Sequence, residues 1–164
     1  MTTVPAPTTG AYVEVRDLKV EFPTEDGLVR AVDGVSFSVD RGRTIAIVGE
    51  SGSGKSVTSQ AIMGLHDRKT TNISGEVLLG GVDLISMADE DVRRRRGQEM
   101  AMIFQDPLSS LHPFYTIAKQ LVEAVRVHQD VSKDEARKQA IAMLDRVGIP
   151  NPDRRIDDYP PQLS

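Results

Sequence analysis

The chain has 164 residues, contains no Cys, and carries a formal net charge of −4 from 20 Lys and Arg against 24 Asp and Glu. The length suffices for one domain with its own core, while the absence of Cys excludes a disulfide scaffold, a thiolate metal site and a cysteine nucleophile. The acidic balance argues against nucleic-acid binding. The longest apolar runs, at 45–48 and 100–104, are far shorter than the roughly 18 residues of a membrane-spanning helix. With no secretory signal visible at the start, the sequence predicts a soluble cytosolic protein.

The amino-terminal part is predicted to consist mainly of strands. Residues 1–10 are mostly Thr, Pro and other small residues, which is typical of a disordered lead-in. Apolar residues alternate over 12–22 and again over 28–39, which predicts two strands that each bury one face. Residues 44–48 form a short β-branched apolar run, typical of a strand covered on both faces in a parallel sheet.

The middle of the chain alternates between helix and strand. A helix is predicted from about Lys55 to Leu65, and residues 73–82 are predicted to form strand and turn. Ser86 is predicted to begin a second helix, with acidic residues in its first turn and Gly97 where a C-terminal cap belongs. Residues 99–104 repeat the pattern of a buried strand.

The carboxy-terminal part is predicted to be helical. Residues 117–128 place apolar side chains along one helix face. Ser132 and Glu135 form a capping box that opens a further helix, which is predicted to close at Gly148. The proline-rich tail, 151–164, is predicted to be loop.

Two groups of charged or titratable residues are candidate sites. The run Arg93–Arg96 could contact nucleic acid or a membrane surface, but its place at the end of a helix that begins with three acids favours a solvated helix terminus. His66, His112 and His128 are scattered without metal-ligand spacing, and no site role is assigned to them.

One segment carries a specific chemical signal, a glycine-rich loop between a predicted strand and a predicted helix. Its glycines let successive backbone N–H groups turn inward around an anion, and the helix that follows adds the positive end of its dipole. The Lys can place a charge between terminal phosphates, and the last Ser can coordinate Mg²⁺. The alternative is a Gly/Ser-rich turn without a ligand. The loop comprises Gly49, Glu50, Ser51, Gly52, Ser53, Gly54, Lys55 and Ser56.

Three ordered motifs together resemble the ATP-binding subunits of ABC transporters, in particular the dipeptide, oligopeptide and nickel importer group. They are the loop at 49–56, the stretch Ile-Phe-Gln-Asp-Pro with Ser-Leu at 103–111, and Tyr-Pro-Pro-Gln-Leu-Ser at 159–164. The resemblance runs from about residue 11 to the end. It implies an α/β fold of the P-loop NTPase class, with parallel strands at 44–48 and 99–104. An antiparallel β subdomain and phosphate-loop core would occupy 11–105, and a helical subdomain 106–164.

The resemblance also assigns residues to roles. Phe22 would stack on adenine, although it continues the alternation of its strand and could equally be core. Gln105 would be the Q-loop residue that reaches Mg²⁺ and the attacking water; without the family it would be read as a surface turn residue. Ser164 would be the signature serine, which contacts ATP held by a second subunit. His112 and Pro161 depart from the residues most common in the group, Asn and His.

The chain is expected to represent the first half of such a subunit. It stops inside the signature motif, before the acidic Walker B strand and the switch His, so we expect it to bind nucleotide without turnover alone. The intact protein would use ATP and Mg²⁺ to drive import of peptides or nickel. It would act as a dimer under membrane permease subunits on the cytoplasmic face, served indirectly by a solute-binding protein and without nucleic acid. The alternatives are a small P-loop kinase or a non-catalytic nucleotide-binding fragment.

Overall fold

A computed structural model describes residues 10–105 and 110–163, and they fall into two units. The first unit reaches Ala101 and the second begins at Met102. Apart from Gly10, the predicted disordered lead-in lies outside the described residues, as do residues 106–109 of the second motif and Ser164. The predicted subdomain boundary after residue 105 stays a prediction.

The first unit is built on a four-stranded antiparallel sheet. Its strands are β1 (Val13–Thr24), β2 (Gly27–Val39), β3 (Asn72–Leu79) and β4 (Val82–Asp83). Their order across the sheet is β2-β1-β3-β4. β1 and β2 form a long hairpin in which Val13 lies opposite Val39 and Thr24 opposite Gly27. The two alternating strands and the antiparallel β subdomain predicted from the sequence are thereby confirmed.

Alternating apolar residues of the sheet form the core of this unit. Leu18, Val20 and Val77 are fully buried, and helix α1 (Lys55–Ile62) adds Ala61 to the same cluster. The helix begins at the predicted residue but ends three residues earlier than predicted. It ends there because Gly64 takes a left-handed conformation, with φ +62°, which stops the helical path.

Helix α2 (Asp89–Arg95) begins three residues later than predicted, because Ser86 has another role. The backbone N–H of Ser86 donates to the Asp83 carboxylate at 3.2 Å, and its hydroxyl donates to the Asp83 carbonyl at 3.1 Å. Ser86 therefore closes the turn after β4 instead of capping the helix. Gly97, with φ +83°, follows the C-cap Arg96, as predicted for the end of this helix.

The two predicted buried parallel strands are not strands in this structure, and this expectation was wrong. Residues 44–48 and 101–104 have no ladder partner among the described residues, and the second stretch is preceded only by an isolated bridge between Arg96 and Met100. The side chains of Val48 and Ile103 are 92% and 89% exposed. A parallel strand depends on neighbours that come from distant parts of a chain, and a local apolar run cannot supply them.

The second unit consists mainly of helices. They are α3 (Ile117–His128), α4 (Lys133–Arg146), α5 (Pro152–Arg155) and a 3-10 turn (Pro160–Gln162). The Ser132 hydroxyl accepts from the backbone N–H of Glu135 at 3.2 Å, which confirms the predicted helix start. The tail is partly helical rather than loop, because Pro152 occupies the first helical position, where a missing N–H costs no hydrogen bond.

The core of the second unit is small and apolar. It joins α3 to α4 and to the end of α5 through Ile117, Ala140, Leu144 and Ile156. The turn before α3 is fixed by the Gln120 amide, which accepts from the backbone N–H of His112 and donates to the carbonyls of His112 and Tyr115. His112, predicted to have no site role, thus lies in a well-bonded turn.

Candidate nucleotide-binding site

The glycine-rich loop lies in the first unit, between the extended segment that ends at Val48 and the start of α1. Gly52 and Gly54 have φ values of +80° and +86°, a region that side-chain-bearing residues rarely adopt. A Cβ at Gly54 would also overlap the carbonyl oxygen of Ala31 in β2. Only glycine fits at this position, so β2 and the loop together fix where α1 begins.

The amino-terminal end of α1 is open to an anion. Gly54 is its N-cap, no side chain of the described residues caps it, and the first intrahelical bond runs from the backbone N–H of Thr58 to the carbonyl of Gly54 at 2.8 Å. The N–H groups before Thr58 therefore lack helical acceptors, and the helix dipole adds partial positive charge beside them. This combination is the usual setting for phosphate binding in proteins.

Lys55 folds back over the loop. Its Nζ donates to the carbonyl of Gly49 at 2.7 Å, to the carbonyl of Glu50 at 2.6 Å and to the hydroxyl of Ser53 at 3.1 Å. All three acceptors are uncharged, and Lys55 forms no ion pair with a described residue. The ammonium charge is therefore placed in the mouth of the loop and is not neutralised there.

Ser56 carries the free hydroxyl of this helix turn. The hydroxyls of Thr58 and Ser59 donate to the carbonyls of Gly54 and Lys55 at 2.9 and 3.1 Å. The exposed Ser56 hydroxyl has no such partner in the described parts of the chain. An oxygen donor of this kind suits Mg²⁺, which takes a few protein oxygens together with substrate phosphates. Within those same parts no cluster of three or more His, Asp or Glu could hold a metal by itself.

A cavity of about 310 Å³ borders the loop on its apolar side. Gly49, Ser53, Lys55 and Thr58 line it toward the loop and α1, and the rest of its lining comes from residues 35–37 of β2 and the segment 45–48. Within the first unit, the loop is therefore open on the polar side where Lys55 lies and borders an apolar cavity on the other side.

Phe22 lies on β1 opposite Val29 and is half-buried against the core cluster. Its ring meets the ring of His66 edge-on, with centroids 5.6 Å apart. His66 Nε2 in turn lies 3.1 Å from the carbonyl of Val57, and because that oxygen can only accept, Nε2 carries the proton. Phe22 is therefore linked through His66 to the first turn of α1. Sequence reasoning missed this role of His66, because a lone histidine carries no recognisable spacing.

The two remaining predicted site residues are not part of the first unit. Gln105 belongs to the second unit and is exposed, and Ser164 lies outside the described residues. The roles assigned to both residues by the resemblance stay predictions.

The four arginines at 93–96 form the carboxy-terminal end of α2 and its C-cap. Arg93 and Arg94 pair with Glu90 at 3.0 and 3.5 Å, and Arg95 pairs with Glu99 at 2.7 Å, as predicted for a solvated helix end. Arg96 differs from this prediction, because its Nη2 donates to the carbonyl of Gly64 at 2.6 Å. Nothing in a run of four arginines marks the fourth as the one that bonds to a distant backbone carbonyl.

The sequence profile of the ABC transporter family matches residues 32–164, which include the loop, Gln105 and the final motif. The chain belongs to the ABC transporter family. This membership confirms the resemblance and the predicted nucleotide-binding-domain fold. No helix in the described parts of this family member has the length and apolarity needed to cross a membrane.

Curated relatives share nearly half of the residues. The chain is 46% identical over 153 residues to the oligopeptide transport ATP-binding protein of Bacillus subtilis, covering 93% of this chain and 43% of that protein. It is 47% identical over 154 residues to the dipeptide transport ATP-binding protein of Escherichia coli, covering 94% and 47%. The chain spans about half the length of the curated relatives it matches.

Solved structures agree on the fold. A dimeric bacterial ABC transporter cassette superposes with a TM-score of 0.76 at 22% identity, covering 93% of this chain and 63% of the other. A dimeric ATP-binding cassette in a post-hydrolysis state bound to ADP and Pi gives a TM-score of 0.74 at the same identity and coverage. At this identity the comparison establishes the ABC cassette fold.

Proposed function

We propose that this chain is the nucleotide-binding part of an ATPase that powers peptide import, and that its loop at 49–56 holds the phosphates of ATP. The observation that carries the proposal is the placement of Lys55. Its charge lies over an uncapped helix start, and its only hydrogen-bond acceptors in the described parts are neutral. A triphosphate would replace weak neutral acceptors by charged ones.

Mg²⁺ would bind at the Ser56 hydroxyl, where it would neutralise charge on the phosphates. The protein's own contribution at this point is an oxygen that no carbonyl of the described residues engages, unlike the hydroxyls of Thr58 and Ser59. Gln105 would orient water near the terminal phosphate, and Ser164 would contact nucleotide held by a second subunit. Phe22 would provide the surface for the adenine base.

Peptide transport is proposed from the relatives, whose names describe oligopeptide and dipeptide transport. The partners would be a second ATP-binding subunit and membrane permease subunits, with an extracytoplasmic solute-binding protein acting indirectly. The dimeric cassettes with the same fold support the first of these partners. The protein would then work at the cytoplasmic face of the membrane.

Nucleotide binding with Mg²⁺ is tested by titrating a fluorescent ATP analogue into the chain with Mg²⁺ and with EDTA. We expect tighter binding with Mg²⁺, and we expect Ser56→Ala to remove that difference. Ser59→Ala is the matched control, because its hydroxyl is already bonded to the Lys55 carbonyl. Absence of binding by the wild type would refute the phosphate-loop assignment, whereas an unchanged Mg²⁺ effect in Ser56→Ala would refute the metal role of Ser56.

Peptide import is tested separately in the source organism. Deleting the gene should reduce uptake of a labelled dipeptide or oligopeptide, the gene itself should restore uptake, and a Lys55→Ala version should not. Uptake that does not change on deletion would contradict the transport assignment and leave the nucleotide site standing.

A further inference from the structure

Arg96 lies against the end of α1 that is opposite the phosphate loop. Its Nη2 donates to the carbonyl of Gly64 at 2.6 Å, and Gly64 is the residue where the chain leaves the helix. Carbonyls at a helix C-terminus carry partial negative charge and lack helical partners. The guanidinium therefore supplies both a donor and a positive charge to the base of the helix whose other end begins at Lys55.

The contact is tight and leaves little freedom. A Cβ at Gly64 would come within 2.8 Å of Val92 Cγ1 and 3.6 Å of the Arg96 guanidinium, so α2 packs directly on the end of α1. Val92 itself is 1% exposed. Because close-packed neighbours transmit displacement rather than absorb it, a shift of Arg96 would shift the base of α1.

Arg96 is not an optimal choice for stability alone. Its Nε is buried and has no hydrogen-bond partner within residues 10–105 and 110–163. A buried donor without an acceptor lowers stability, whereas an apolar side chain could fill the same space without that cost. The directional interaction that the guanidinium makes among the described residues is the bond to the Gly64 carbonyl, which fixes its position.

The helix between the two ends is short enough to act as one body. α1 has eight residues, which corresponds to about 12 Å at 1.5 Å per residue. At its start, the Gly54 backbone lies so close to β2 that an added Cβ would overlap the carbonyl oxygen of Ala31. The position of the Lys55 backbone is thus set by Gly54 at one end and by Arg96 at the other.

We propose that Arg96 is a positioning residue for the phosphate loop, which holds α1 where its N-terminus binds nucleotide phosphates. This inference rests on the proposed nucleotide site. Arg96 would act on the phosphate loop and not on the adenine-binding surface. Its loss should therefore weaken the binding of ATP and of pyrophosphate by the same factor.

The test compares Arg96→Met with Arg94→Met, a matched control whose side chain is 74% exposed and pairs with Glu90 on the surface. Affinities for a fluorescent ATP analogue and for pyrophosphate as its competitor are measured well below the unfolding midpoint of every variant. We expect Arg96→Met to weaken both ligands at least fivefold and equally. Arg96→Lys, which can still reach a carbonyl, should recover part of the loss, and Arg94→Met should match the wild type.

The same titration distinguishes a failure of the positioning role of Arg96 from a failure of the nucleotide site. If Lys55→Ala weakens binding while Arg96→Met only lowers the unfolding midpoint, Arg96 is merely structural and the positioning proposal is overturned. If neither ligand binds the wild type, the nucleotide site fails and the positioning proposal fails with it. Should Arg96→Met not fold, Arg96→Lys and Arg96→Gln take its place. Affinities equal to those of the wild type in both variants would overturn the proposal.

Discussion

The ammonium group of Lys55 lies 2.6 Å from the backbone carbonyl oxygen of Glu50, five residues earlier in the same loop. The lysine therefore closes the loop on itself and holds its charge where a phosphate would enter. A neutral carbonyl oxygen is a weaker hydrogen-bond acceptor for an ammonium group than a charged phosphate oxygen. Exchanging the carbonyl of Glu50 for a phosphate oxygen would therefore favour binding of the ligand.

Replacing Lys55 by Ala should weaken nucleotide binding about tenfold or more. The lost interaction is a charge-assisted hydrogen bond worth about 1.5–3 kcal/mol, and about 1.4 kcal/mol corresponds to a tenfold change in affinity. Titration of a fluorescent ATP analogue measures the change. Lys69→Ala, at an exposed turn of the same unit, serves as the control and should bind as the wild type does. Equal affinities in wild type and Lys55→Ala would show that the loop does not hold the phosphates.

Replacing Gly54 by Ala should destabilise the chain by about 2 kcal/mol or more. The added Cβ meets the carbonyl of Ala31, and a left-handed conformation costs about a further 1 kcal/mol for an L-residue. Gly42 has a similar φ of +74°, but a Cβ there would meet no described atom within 4 Å, so Gly42→Ala should cost only the conformational part. Urea unfolding of both variants measures the difference. If the free energy of unfolding falls by a similar amount in the two variants, the loop is not closely packed against β2.

Asp83 should make the stability of the first unit depend on acid pH. Partial burial raises its pKa, but the backbone N–H groups of Val77 and Ile85, together with Ser86, bring the net pKa below its ordinary value. A carboxyl with a depressed folded pKa stabilises the fold above its unfolded pKa, near 3.8, and that contribution disappears as the pH falls through the folded value.

Asp83→Asn should accordingly lower the free energy of unfolding at pH 7 and flatten its decline below about pH 4, compared with the wild type. Urea unfolding at several pH values between 7 and 3 gives the two curves. Asp26→Asn, in the exposed turn between β1 and β2, should stay near the wild-type stability at pH 7. Parallel curves for Asp83→Asn and the wild type would contradict the role given to this carboxylate.

Phe22 should contribute to binding of the base and not of the phosphates. Phe22→Leu keeps an apolar side chain in the half-buried position and removes the aromatic face, so the chain should remain folded. Loss of stacking costs about 1–3 kcal/mol per base, and ATP and GTP should weaken alike while pyrophosphate is unaffected. Competition titrations with the three ligands check this. Unchanged ATP affinity in a folded Phe22→Leu protein would leave Phe22 as a core residue only.

The sequence was most informative where structure depends on local signals. The hairpin of β1 and β2 follows from alternation, and α3 runs over the residues that its apolar face predicts. It was least informative where structure depends on distant partners. Ile45 and Ile103 belong to apolar runs typical of buried strands, yet both are exposed, because pairing is decided by segments far away in sequence.

The site shows the same division. The loop at 49–56 is a local motif, and its glycines, Lys55 and Ser56 lie in one unit as expected. Arg96 bonds to Gly64 from 32 residues away, and His66 contacts Val57 from nine residues away, through contacts that no local pattern encodes. Long side chains that bond to single backbone carbonyls are therefore the part of this site that only the structure could reveal.

The central claim is that this chain binds nucleotide through its phosphates, and competition against a bound fluorescent ATP analogue tests it most directly. Pyrophosphate and adenosine carry the two halves of the ligand separately. The account predicts that pyrophosphate displaces the analogue from the wild type, that it competes far less well for Lys55→Ala, and that adenosine displaces little. Displacement by adenosine but not by pyrophosphate would contradict it.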